Sequence, residues 1–176
     1  MQKLKVLIVE DNKVNRKLLE NALQDEIFEK SSIENGHEAL RRYREWKPDI
    51  ILLDILLPLV SGYSVLKEIR IKERDTSTVI IITSGLTSKQ DIIDCAKLGI
   101  HGYLIKPINF RELSGKILEY YVKGYPRKTM TTDELIKIIK DKIEEEGPVL
   151  SILLCKFFIG HFLKEWQVLL HFSYGV

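Results

Sequence analysis

Ile50-Ile51-Leu52-Leu53-Asp54 is four aliphatic residues closed by a carboxylate. Three other short runs have the same form. Val6-Leu7-Ile8-Val9 ends on Glu10-Asp11, Val79-Ile80-Ile81-Ile82 on Thr83, and Tyr103-Leu104-Ile105 on Lys106-Pro107. Continuous apolar runs of this length, rich in β-branched residues and separated by helix-length amphipathic stretches, predict parallel strands buried on both faces with crossover helices between them. Ligands of such sheets bind outside the carboxyl ends of the strands. The pattern therefore brings three acids, a hydroxyl and an ammonium to one edge. That group can hold a divalent metal and move a phosphoryl group.

The punctuation between the runs supports five strand–helix units. Asn12 predicts the cap of a helix reaching to about Phe28, with Leu18, Leu19 and Leu23 inward. A weaker strand is expected near Lys30–Ile33. Asn35 and Glu38 have capping-box spacing for a helix that ends near Trp46, before Pro48. The loop after Asp54 leads to a helix ending near Arg74. Ser88 or Thr87 starts the next helix, which Gly99 stops. Asn109 and Glu112 frame a last helix to about Val122. The expected fold class is α/β, a doubly wound five-stranded parallel sheet followed by a C-terminal α-helical extension. The organisation is a domain over 1–122, a linker over 123–130 around Gly124-Tyr125-Pro126, and a helical extension over 131–176.

Composition narrows the function. With 176 residues, 45% hydrophobic content and a formal net charge of +2, the chain lacks the broad positive field of a protein that binds nucleic acid through charge alone. Its two cysteines, Cys95 and Cys155, lack metal-type spacing, and the N-terminus has no signal-peptide pattern. A reducing, cytoplasmic setting is expected. No Gly-rich loop follows the first strand, which excludes the dinucleotide fingerprint and the P-loop.

The motifs Val9-Glu10-Asp11-Asn12, Asp54 with Pro58 and Gly62 downstream, Thr83-Ser84 and Tyr103-Leu104-Ile105-Lys106-Pro107 occur in an order and spacing that resemble the response-regulator receiver domain of two-component signalling. The resemblance covers residues 1 to about 122. It implies a flavodoxin-like receiver fold with a phosphorylated aspartate at the carboxyl edge of the sheet. Elementary chemistry agrees. Mg2+ takes oxygen ligands, which Asp11 and Asp54 supply, with Glu10 reaching the ion directly or through water. Three neighbouring carboxylates repel one another unless a cation intervenes. Lys106 suits a phosphoryl oxygen and the Thr83 hydroxyl can donate to another. The resemblance further implies a cis Lys106-Pro107 bond and a switch in which Thr83 moves and Tyr103 fills the vacated space. Ser61 stands where the family often has an acid, and Leu57 and Val60 replace frequent methionines. In the family the residues two beyond the aspartate and the threonine flank the path of an attacking water; here they are Leu56 and Gly85, which offer no group to position it.

The expected function is a phosphoacceptor receiver of a phosphorelay. Asp54 takes a phosphoryl group from a sensor histidine kinase or a histidine phosphotransfer protein and thereby controls protein association. Alternatives are a transcriptional response regulator with an unrecognised DNA-binding output, and a pure phosphate relay. The extension has no recognisable helix-turn-helix. Lys156, Gly160, Lys164, Gln167 and His171 draw a narrow polar stripe along its last apolar segment. That stripe argues against lipid spanning; the extension is expected to be a helical hairpin that packs on itself, on the receiver or on a second copy, with a homodimer the first expectation.

Overall fold

In the computed structural model, residues 3–124 are described. β1 (Leu4–Val9), β2 (Phe28–Ile33), β3 (Ile50–Asp54), β4 (Val79–Ser84) and β5 (Gly102–Ile105) form one parallel sheet in the order β2-β1-β3-β4-β5. The helices are α1 (Lys13–Ala22), α2 (Gly36–Trp46), α3 (Gly62–Lys67), α4 (Lys89–Lys97) and α5 (Leu113–Gly124). The doubly wound α/β expectation holds for this region. The stretch read as linker and helical extension lies outside the described residues from Tyr125 onward, while Lys123 and Gly124 belong to α5.

Strand parity divides the core. Val6, Ile8, Ile50, Leu52, Val79 and Ile81 pack with Leu19 and Leu23 of α1 and with Leu113 and Ile117 of α5. Leu7, Val9, Ile51, Leu53, Ile80 and Ile82 pack with Ala39 and Tyr43 of α2, Val65 and Leu66 of α3, and Cys95 of α4. Successive side chains point to opposite faces, so a run apolar at every position is the pattern of a strand covered on both sides. At roughly 25 cal/mol per Å2 of apolar surface, this two-faced burial is the main force holding the sheet.

Several boundaries differ from the sequence reading. α1 stops at Ala22 rather than near Phe28. Phe28 opens β2 instead, pairs with Leu4 and is buried. The Lys30 ammonium donates to the carbonyls of Glu20 (3.0 Å) and Leu23 (2.8 Å), beside the Leu23 amide, which also donates to the Glu20 carbonyl at 3.3 Å, so the helix end is closed from β2. Leu18 is 42% exposed, because the inward stripe of α1 runs through Leu19 and Leu23, which are four apart. After α3 the chain continues as one wider π-type turn, Glu68–Lys72, where the Glu73 amide donates to the Glu68 carbonyl at 3.0 Å. α5 begins at Leu113: Asn109 accepts from the Arg111 amide at 3.2 Å and so holds a turn ahead of the helix.

The caps at Asn12, Asn35 and Ser88 are as read. Asn12 Oδ1 accepts from the amides of Val14 and Asn15, each at 3.0 Å, Asn35 Oδ1 from Glu38 at 2.9 Å, and Ser88 Oγ from Asp91 at 3.2 Å. Ser61 caps α3 by accepting from the Ser64 amide at 3.2 Å, a local reason for serine at a position where the family often has an acid.

Candidate functional site

Four of the five strands deliver to the carboxyl edge the residues the sequence placed there. Glu10 and Asp11 follow β1, Asp54 is the last residue of β3, Thr83 is the penultimate residue of β4, and Lys106 follows β5. In-register pairing sets Asp54 beside Thr83. Carboxylate oxygens of Glu10, Asp11 and Asp54 all lie within 4.8 Å of one another.

Burial is uneven across the cluster. Glu10 is 1% exposed and Asp54 4% exposed, whereas Asp11 is open to solvent. The Lys106 ammonium reaches Glu10 Oε2 at 2.8 Å and also pairs with Asp54 Oδ2. Asp54 Oδ1 accepts from the Leu56 amide at 2.9 Å. Burial is the largest single influence on Lys106 and disfavours its charge. The hydrogen bonds and charges of Asp54 and Glu10 outweigh it, holding the ammonium pKa above the ordinary lysine value. Lys106 is therefore charged across the neutral range. The Lys106–Pro107 bond is cis.

Thr83 is fully buried, and its Oγ1 has no hydrogen-bond partner among the described residues. A buried hydroxyl left unpaired is unfavourable unless its site is completed by another group. Tyr103 is half-buried and its hydroxyl donates to the Leu86 carbonyl at 2.9 Å. Burial raises its pKa above the ordinary phenol value.

The β3–α3 loop is held against the site by Gly62. A Cβ there would lie 1.9 Å from the Asp54 carbonyl oxygen, so no larger residue fits without moving the strand end. The donor set fits Mg2+: three carboxylates supply hard oxygen atoms, and one ammonium leaves them with net negative charge. Glu10, Asp11 and Asp54 would hold the ion, which when bound would offset charge on a transferring phosphoryl group.

Two contributors were missed in the sequence reading. Asn15 Nδ2 donates to Glu10 Oε1 at 3.3 Å, and Arg16 Nη1 donates to the carbonyls of Glu10 (2.7 Å) and Asp11 (3.0 Å). Both are polar residues on the first turn of α1. Their spacing from the acids was a signal available in the sequence, but it looks the same as that of a solvated helix start.

Residues 6–118 match the family model of the response regulator receiver domain. The chain belongs to that family. It is 37% identical over 105 residues to the chemotaxis protein CheY of Listeria monocytogenes, a match covering 59% of this chain and 87% of that one. It is 36% identical over 115 residues to a probable transcriptional regulator ycf27 of Guillardia theta, covering 65% of this chain but only 44% of the regulator. Among solved structures, the chemotaxis protein CheY4 of Vibrio cholerae matches with a TM-score of 0.63 at 27% identity, over 68% of this chain and 99% of that one. The receiver domain of the Francisella response regulator 1452 matches with a TM-score of 0.63 at 29% identity, over 69% and 98%. This chain is thus a receiver of two-component response regulators. Among the described residues, no helix is long and apolar enough to cross a membrane.

Proposed function

We propose that the chain is a phosphoacceptor switch in which Asp54 takes a phosphoryl group from a phosphohistidine, on a sensor histidine kinase or a histidine phosphotransfer protein of the cytoplasm, in the presence of Mg2+. The observation that carries this reading is one ammonium, Lys106, bridging Glu10 and Asp54 beside Asp11, with the Thr83 hydroxyl, which has no partner among the described residues, next to the acceptor strand. In the transfer, an Asp54 carboxylate oxygen bonds to phosphorus. The phosphorus–nitrogen bond breaks, and its electron pair returns to the donor imidazole. Lys106 and Thr83 then have new acceptors in the phosphoryl oxygens. Positioning and charge supply most of the catalysis. Movement of Thr83 toward the phosphoryl group frees space for the Tyr103 ring, which would give up its bond to the Leu86 carbonyl.

The test uses a small-molecule phosphodonor with Mg2+ and intact-mass measurement. One added phosphoryl group is expected for the natural chain and none for Asp54→Asn; labelling of the variant to the same extent would refute the assignment. Residues 125–176 are read as an association element, with a two-fold dimer the favoured state. Mass in solution should rise with a phosphoryl mimic such as beryllofluoride, and a full chain that stays monomeric in both states would end that reading. The second reading is a transcriptional response regulator; its one support is the likeness, over 44% of that protein's length, to a probable transcriptional regulator. A salt-dependent mobility shift by the phosphorylated chain would select it.

A further inference from the structure

We propose that Arg16 is a positioning residue for the metal-binding acids, acting through the backbone of the Glu10-Asp11 loop. This inference rests on the proposed Mg2+-dependent function and concerns the same site.

Arg16 lies on the first turn of α1, and its side chain is 16% exposed. One guanidinium nitrogen, Nη1, donates to two successive carbonyls, those of Glu10 at 2.7 Å and Asp11 at 3.0 Å. The other terminal nitrogen, Nη2, pairs with Glu34 Oε2 at 3.2 Å, in the loop between β2 and α2. The guanidinium thus clamps the loop that carries both acids and is itself held from a second loop. Asn15, one residue earlier, takes the Glu10 carboxylate, and Asn12 caps the helix on which both residues stand.

Helix stability does not account for this arginine. The groups that need partners at a helix start are N–H groups, and Arg16 donates to carbonyls that precede the helix. A cation on the first turn also opposes the positive end of the helix dipole. What the contact does accomplish is to fix the peptide planes of Glu10 and Asp11. Each carboxylate's direction follows from its own backbone. Asp11 is exposed, so its carbonyl is where the structure ties it down. A flat, forked donor can span two adjacent carbonyls while keeping an ion pair on its other nitrogen; an ammonium cannot reproduce that geometry.

The sign of the metal response separates positioning from charge. As a nearby positive charge alone, Arg16 would repel a cation, and Arg16→Gln would tighten Mg2+ binding. As a clamp, Arg16 preorganises two ligands, and its loss weakens binding. Partners that orient metal ligands from behind contribute about tenfold or more in affinity.

The experiment is calorimetric titration of the full chain with MgCl2, with thermal unfolding of each variant in the absence of metal. Arg16→Gln is expected to bind about tenfold more weakly. Arg16→Lys keeps the charge and part of the contact, so its affinity should fall between those of Arg16→Gln and the natural chain. Unchanged or tighter binding in Arg16→Gln would overturn the inference and leave the proposed function standing. Should Arg16→Gln fail to fold, Arg16→Lys decides: weaker binding at unchanged thermal midpoint supports the clamp, and unchanged affinity overturns it. A natural chain that binds no Mg2+ would overturn the proposed function and this inference together.

Discussion

At the amino edge of the sheet Asp75 is saturated with hydrogen bonds, whereas at the carboxyl edge Thr83 keeps a buried hydroxyl with none among the described residues. Asp75 accepts from the Tyr43 hydroxyl at 2.8 Å, from the Ser77 amide and hydroxyl, each at 2.7 Å, and from the Thr78 amide and hydroxyl at 3.1 and 2.5 Å. Arg70 closes the same edge by donating to the carbonyls of Asp75, Thr78 and Gly99. Burial alone would raise the Asp75 pKa, but the bonds from Thr78, Ser77 and Tyr43 reverse that and hold it well below the usual carboxylate range. Burial, then the bond to Asp75, pushes the Tyr43 phenol far above its ordinary value. The site's acids instead crowd together around a single ammonium. Paired polar groups anchor the fold at one edge; at the other, incomplete pairing leaves capacity for a cation and a phosphoryl group.

The largest effect expected from this contrast is at Asp75. Asp75→Ala leaves the Tyr43 and Thr78 hydroxyls without their partner, and a loss of about 3 kcal/mol is expected. Urea unfolding measures it, and Mg2+ affinity should be unchanged because the site lies at the other edge. A loss below about 1 kcal/mol would show that the amino edge is no anchor.

Thr83→Val sharpens the comparison in the other direction. It replaces an unpaired buried hydroxyl with a methyl group of similar volume, so stability should rise by up to about 1 kcal/mol. On the proposed function, the same variant should also lose the rise in solution mass expected with a phosphoryl mimic. A clear loss of stability would mean that the hydroxyl is paired in solution.

The smallest effect concerns His101, also at the amino edge. Its Nδ1 accepts from the Ile80 amide at 3.2 Å, which requires a neutral ring. Burial, then the Arg70 charge, lowers its pKa below 6.5, against opposing contributions from Asp75 and a bond to the Gly124 backbone. Above that ordinary value both folded and unfolded chains hold a neutral ring. As pH falls below it, the unfolded chain takes up a proton first, so stability is lost until the lower native value is passed. His101→Gln should shrink that acid-side loss in urea titrations on either side of the ordinary value. An identical pH dependence would remove His101 from the anchor.

Much of this molecule is legible in the residues alone. Strand parity, caps at Asn12, Asn35 and Ser88, and the acids, hydroxyl and lysine that close four of the strands are local patterns, and local patterns determine periodicity, caps and which edge a residue reaches. α1 reads too long because its end is closed by Lys30, ten residues beyond Glu20, whose ammonium donates to the Glu20 and Leu23 carbonyls. The Asp75 anchor is hidden for the same reason. Tyr43 lies 32 residues before Asp75, and nothing in either segment announces the other. Arg16 in sequence is one more charge on a helix start, until the fold bends the Glu10-Asp11 loop and Glu34 around it. Sequence alone therefore determined the sheet, its order of chemistry and the family. Only tertiary structure decided which polar groups were left without partners, because hydrogen-bond satisfaction is settled between segments distant in the chain and brought together by burial of the core.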